Sequence, residues 1–388
     1  MRSGLDVLRD SGFHALRGQR VGLVCHPASV DSQLAHAADL LAQAPNVCLV
    51  ALFGPEHGFA GTAQDLIPVS DAHSETLRIH SLYGSSVESL RPSAEQLRGL
   101  DTLVVDLQDI GSRYYTFHAT MLYCLQACAE HGVRVIVLDR PNPLGGVAIE
   151  GPLLQPGFAS FVGPHPLPTR HGLTMGELAR LYRAECVPTV ELEVIPCDGW
   201  QRPWYFDATG LPWVLPSPNM PTLDTAVVYP GMCLLEGTNL SEGRGTTRPF
   251  ELCGAPGIEP RVLARRLEAE QLPGVRFRPA WFRPSFHKFA GLDCGGVQLH
   301  VTDRHAFLPV RTGLAVLAHL RELCGSRFAW RTEEYEFVTD RLAIDLLFGS
   351  DRERCALEAG TPWRTIAATW QAEERAFAVR SRSYWLYS

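Results

Sequence analysis

Four short runs of nearly unbroken apolar residues constrain this chain more than any other feature. They are residues 20–25 (RVGLVC), 46–53 (NVCLVALF), 100–107 (LDTLVVDL) and 133–139 (VRVIVLD). A strand with one wet face alternates apolar and polar residues. These runs do not, so both of their faces must be covered. Residues 32–44 and 115–131 fall between them and have the length and apolar spacing of helices. The order predicts an α/β layer on a parallel sheet, Rossmann-like in outline. Ligands of open α/β sheets bind beyond the carboxyl ends of the strands. Polar residues gather at that point after each run: Cys25-His26-Pro27, Gly54-Pro55-Glu56-His57-Gly58, residues 106–113, and Asp139-Arg140-Pro141-Asn142. Four loops are therefore expected to converge on one crevice.

The rest of the chain reads less uniformly. Thr174 with Glu177 three residues later has capping-box spacing and predicts a helix over 174–182. A strand is expected at 192–196, and 203–230 reads as a long irregular segment rich in Pro, Trp and Tyr. A second region begins near Pro260, with a helix at 261–271, a strand at 295–301, a helix at 309–324 and a mostly helical stretch at 344–387. With 388 residues, 46% of them hydrophobic, the chain exceeds what one core usually holds, so two domains are expected.

Charge and cysteine usage narrow the partners. A net charge of −7 without a long basic run argues against nucleic-acid binding. No segment is apolar enough to span a bilayer, and MRSGLDVLRDSGFHALRG has no signal-peptide pattern, so a cytoplasmic place is expected. The 11 cysteines are odd in number, scattered and without a CxxC pair. They read as free thiols in a reducing compartment rather than a disulfide framework or a zinc site.

Several residues invite a chemical reading, each beside a plainer one. Glu56 is a surface acid or, because Pro55 and glycines stiffen its loop, a side chain fixed over the crevice. His57 orients it, moves protons or caps locally. Asp106 closes a strand. Asp109 and Arg113 pair with each other, or meet a substrate hydroxyl and an anion. Asn142 can donate and accept, as sugar binding requires, and Glu150 is a second candidate carboxylate. Residues 235–251 (LEGTNLSEGRGTTRPFE) hold Glu236, Glu242 and Glu251 with Arg244 and Arg248. The run matches neither GxxxxGK[ST] nor GxGxxG, so a pocket wall is favoured over a phosphate cradle. His26, His57, His118, His165 and His171 form no HExxH pair, and no GxSxG elbow is present. Cys25 beside His26 offers a weak Cys/His pair. No metal and no cofactor is expected. Paired carboxylates at loop ends remain, and they suit glycoside cleavage.

Taken together, FGPEHGFAG (53–61), VVDLQDIGSRYYTF (104–117), LDRPNPLGG (138–146), EGP (150–152), PSPNMPT (216–222), YPG (229–231) and EGTNLSEGRGTTRPFE (236–251) resemble the YbbC/NamZ-type family of exo-β-N-acetylmuramidases. The resemblance runs from about Arg20 to the C-terminus. It implies a Rossmann-like catalytic domain, set at 1–255, and a smaller α+β auxiliary domain at 256–388, with the cleft between them. It also implies removal of non-reducing terminal β-1,4-linked N-acetylmuramic acid from peptidoglycan fragments, with small saccharides or muropeptides as partners. The glutamate of the GPEHG motif, Glu56, becomes the expected general acid, with His57 beside it. Asp109, Glu150 or Glu242 would supply the second catalytic group, unless the substrate's acetamido group does. Asp106, Arg113, Tyr114, Arg140, Asn142, Asn219, Arg244 and Arg248 become expected substrate contacts, with Arg113, Arg244 or Arg248 meeting the lactyl carboxylate. Another N-acetylated sugar, a non-catalytic muropeptide binder and a metallohydrolase are the rival readings. Many relatives are exported, and the lack of a visible leader here favours recycling of small muropeptides.

Overall fold

The computed structural model describes residues 1–73 and 77–388. Its strands, in chain order, are β1 (Arg20–Cys25), β2 (Cys48–Gly54), β3 (Ala72–His73), β4 (Arg78–Ser81), β5 (Thr102–Asp106), β6 (Arg134–Leu138), β7 (Glu150–Leu153), β8 (Pro168–Arg170), β9 (Leu192–Ile195), β10 (Leu252–Ala255), β11 (Val275–Phe282) and β12 (Cys294–Val301). Seven of them form one sheet in the order β3-β4-β2-β1-β5-β6-β9. Every pairing in it is parallel except the edge pair β3–β4.

Side-chain alternation within these strands feeds two cores. Val24, Phe53, Leu103, Val105, Val135 and Val137 join the core that holds helices Phe117–His131 and Met175–Glu185. Leu23, Leu52, Val104, Ile136 and Ile195 join the opposite core, with helices Gly4–Asp10 and Ala37–Gln43. The strands read as continuous apolar runs because each face has its own helices to bury.

The C-terminal half carries a smaller antiparallel sheet, β10-β12-β11, backed by helix Pro260–Ala269, on which helix Pro309–Cys324 packs. β11 alternates buried Val275 and Phe277 with exposed Arg276 and Arg278, as a half-covered edge strand does. Four helices follow, from Ala343–Phe348 to Gln371–Ser381. β10 ends at Ala255, the last residue of the expected first domain, yet pairs with β12 in the expected second.

Two expectations need correction. The helix expected at 32–44 is confined to Ala37–Gln43, because the Asp31 carboxylate accepts hydrogen bonds from the backbone N–H groups of Gln33 and Ala35 and holds a turn there. The irregular reading of 203–230 misses the helix Leu223–Met232. Pro230 argues against a helix on sequence grounds, but it sits in that helix near its end, behind a Thr222 N-cap.

Candidate active site

The loop after β2 is built so tightly that only glycine can begin it. A Cβ on Gly54 would lie 2.5 Å from the Phe59 backbone nitrogen. Gly58 N–H then donates to the Pro55 carbonyl at 2.9 Å. His57 takes a left-handed backbone, φ +70°, and its Nδ1 lies 2.9 Å from the Ala63 carbonyl. This arrangement puts Glu56 at the carboxyl end of β2 with only 6% of its surface exposed. The Thr116 hydroxyl donates to Glu56 Oε2 at 2.6 Å, so the loop after β5 fixes the carboxylate of the loop after β2.

A third loop is tied in by His26, which is fully buried. Its Nε2 accepts from Gln108 N–H at 3.0 Å, and its Nδ1 lies 3.1 Å from the Pro216 carbonyl. Burial, aided by the charge of Arg140, pushes its pKa down to about 3, so the ring is a neutral stitch between two loops.

These loops open on a cavity with Glu56 and His57 on one side and Tyr114, Tyr115, Thr116 and Phe117 beside them. Asn219 enters from the 216–220 loop and donates to Gln64 Oε1 at 2.7 Å. The C-terminal half supplies Glu236, Arg244, Tyr335 and Glu336. Arg244 is surrounded by acids: Glu236 at 2.7 Å, Asp65 at 3.3 Å and Glu242 at 3.6 Å. The Tyr335 hydroxyl donates to the second oxygen of Glu236 at 2.8 Å. A wider hollow lined by Arg20, Arg78 and Arg98 lies at the start of β1 and β4 and holds none of these acids.

Of the residues singled out in the sequence, the cavity thus brings together Glu56, His57, Tyr114, Asn219 and Arg244. Glu242 lies one layer behind, fully buried, with Lys288 at 2.9 Å and His287 at 3.2 Å. Burial works against its charge, but Lys288, His287 and Arg244 outweigh it and hold the carboxyl well below its ordinary range.

The other residues lie outside the cavity lining. Asp106 and Arg140 form a buried bidentate pair at the ends of β5 and β6, at 2.5 and 2.8 Å. Asp109 accepts from Gly111 N–H at 2.5 Å and lies 3.7 Å from His171. Asn142 donates to the Leu173 carbonyl and accepts from Leu144 N–H, each at 2.9 Å. Arg113 is fully buried and gives its guanidinium to the carbonyls of Pro152, Leu167 and Leu347. Burial pulls its pKa down to about 10. Glu150 accepts from the backbone N–H groups of Val310 and Arg311 at 3.1 and 2.8 Å. Arg248 pairs with Glu251 at 3.2 Å and leaves nearly half its side chain in water.

Sequence reasoning did not single out Asp65, Thr116, Tyr335 or Glu336. Asp65 follows the glycine-rich loop by a few residues, and Thr116 lies inside the VVDLQDIGSRYYTF run. Tyr335 and Glu336 belong to no motif. Among the described residues, no group of three or more His, Cys, Asp or Glu is arranged to hold a metal ion, and all eleven cysteines are free thiols.

Comparison with known proteins covers the whole chain. Residues 21–224 match the family model "Exo-beta-N-acetylmuramidase NamZ, N-terminal", and residues 227–387 match its C-terminal counterpart. The chain is 43% identical over 389 residues to the peptidoglycan β-N-acetylmuramidase NamZ of Bacillus subtilis (strain 168), spanning 100% of this chain and 91% of that protein. A crystal structure of a DUF1343 family protein from Bacteroides fragilis NCTC 9343 superposes with a TM-score of 0.89 at 34% identity, covering 100% of this chain and 99% of that one. A second DUF1343 protein from the same organism gives a TM-score of 0.78 at 28% identity over the same shares.

Proposed function

This chain belongs to the NamZ exo-β-N-acetylmuramidase family, and from that premise we propose that it removes N-acetylmuramic acid from the non-reducing end of β-1,4-linked peptidoglycan fragments. The observation that carries the reading is Glu56, a nearly buried carboxyl held by Thr116 at the wall of a cavity to which both halves of the chain supply polar side chains. With Oε2 fixed by the hydroxyl, Oε1 is the atom that meets the glycosidic oxygen. Glu56 gives that oxygen its proton while the bond to the anomeric carbon breaks. Tyr114, Tyr115, Tyr229 and Phe250 supply apolar faces for a sugar ring. Of the three arginines weighed for the lactyl carboxylate, Arg244 lines the cavity, so it takes that role.

The test is release of 4-nitrophenol from 4-nitrophenyl β-N-acetylmuramic acid and from its N-acetylglucosamine analogue. Muramic-selective release, unaffected by chelator, is the expected result. On a β-1,4-linked disaccharide, whose leaving oxygen needs the proton as 4-nitrophenolate does not, Glu56→Gln should lower the rate about a hundred- to ten-thousandfold. A Glu56→Gln variant that keeps its rate on that disaccharide would remove Glu56 from the role. Faster release from the glucosamine analogue would reassign the sugar.

A further inference from the structure

Glu336 enters the cavity from a turn that few sequences tolerate. Tyr335 and Val338 exchange two backbone hydrogen bonds, at 3.1 and 3.0 Å, around Glu336 and Phe337. Both central residues are left-handed, φ +47° and +65°. Such turns ordinarily carry Asn or Gly there, because a Cβ is strained at positive φ. Two larger side chains are held in place by what they touch. The Phe337 ring packs edge-on against Tyr83 at 5.5 Å, and the Tyr83 hydroxyl donates to Glu336 Oε2 at 2.9 Å. Strain kept at a cavity wall, with a 6% exposed carboxyl as its product, marks a side chain whose position matters.

We infer that Glu336 is the second acid–base carboxyl of this site, a proton store in the same cavity wall as Glu56. The inference rests on the glycosidase reading above and adds a partner to it. Glu56 and Glu336 both line the cavity, and the arginine lining it, Arg244, is already matched by Glu236 and Asp65. Burial, and next the charge of Glu56, hold the Glu336 carboxyl well above its ordinary range, against the Tyr83 hydroxyl, which favours the ionised form. Glu236 and Asp65 add to the upward push. The other titratable groups facing this space are His57, Tyr114, Tyr115, Tyr229 and Tyr335.

Held in this way, the Glu336 carboxyl keeps its proton where an isolated glutamate is ionised. Through Glu56 that proton reaches the leaving oxygen, which departs with the electrons of its bond to the anomeric carbon. The water that later adds to that carbon loses one proton, which returns to Glu336 the same way. Glu336 thus acts through Glu56, keeping a proton available at a pH where an isolated glutamate has lost it.

The experiment follows the carboxyl C=O infrared band of the whole protein, without substrate, through a pH titration, alongside the pH profile of kcat/KM. Burial also raises the carboxyls of Asp139 and Glu150, so the site's band is read as the difference between wild type and variant, and in wild type it should persist where isolated glutamates are ionised. Glu336→Gln removes this carboxyl, so the band should titrate lower, and the alkaline limb of activity should move down with it. Tyr83→Phe removes a hydrogen bond that favours ionisation, so both should move up. Opposite shifts from these two variants cannot come from a merely loosened turn. Identical titrations for wild type and Glu336→Gln, or a downward shift in Tyr83→Phe, would overturn the inference. The infrared readout needs no turnover, so it stands apart from failure of the proposed activity.

Discussion

Arg244 poses the sharpest problem at the scale of single residues. Its guanidinium lies among Asp65, Glu236 and Glu242 and 5.0 Å from the Phe250 ring, so it serves as the counter-charge of an acidic wall. Burial works against its charge, but those acids outweigh it and hold its pKa well above the ordinary value. A lactyl carboxylate entering here would compete for the same planar fork. Lysine keeps the charge but lacks the planar fork that holds a carboxylate through two parallel hydrogen bonds. Arg244→Lys is therefore expected to lower the kcat/KM ratio of the muramic over the glucosamine substrate at least about tenfold. Equal losses on both sugars would take Arg244 out of lactyl recognition. The contrast between Glu56 and Glu336 shows what a sequence reveals about such a site. Glu56 is legible because its position is set locally, by the end of β2 and by a glycine that nothing else can replace. Glu336 sits in a turn whose strain is held by Tyr83, 253 residues away. No local pattern announces that.

Two helices illustrate how elements carry the site. Helix Leu223–Met232 brings Tyr229 to the cavity, and helix Pro309–Cys324 is the long helix of the C-terminal half. They cross with backbones in contact. A Cβ on Gly231 would lie 1.8 Å from the Pro309 carbonyl oxygen, and one on Gly313 would lie 2.2 Å from the Gly231 carbonyl oxygen. Those neighbours are backbone atoms and cannot step aside as a side chain would. Gly313→Ala should cost at least about 2 kcal/mol, as overpacking a well-filled contact does, and lower the melting temperature by several degrees. An unchanged melting curve would mean that the two helices do not meet at this crossing. Helix Pro309–Cys324 was legible to the residue, because its amphipathic spacing and N-terminal proline agree. Helix Leu223–Met232 was not, because its proline and glycine serve the crossing rather than the helix.

The two halves of the molecule are joined by contacts that no periodicity encodes. The parallel sheet was readable because its strands are buried on both faces, a property each strand carries alone. The links between halves depend on residues far apart in sequence: Arg113 to the Leu347 carbonyl across 234 positions, and Glu150 to Val310 N–H across 160. Both residues looked like site chemistry from their motifs, and the structure puts each where the halves meet. Glu150 closes the start of helix Pro309–Cys324, accepting two backbone N–H groups with Arg311 at 3.3 Å. Burial raises its pKa although Arg311 and those N–H groups favour the charge. A carboxylate at a helix N-terminus satisfies donors that the helix itself cannot. Glu150→Gln retains the shape but keeps one acceptor oxygen and no charge. We expect a loss of about 1–3 kcal/mol in stability, read as an earlier denaturant midpoint, with kcat of the folded fraction within about threefold of wild type. The opposite pattern, an unshifted midpoint with kcat lowered a hundredfold or more, would return Glu150 to the chemistry and require the cavity to reach it.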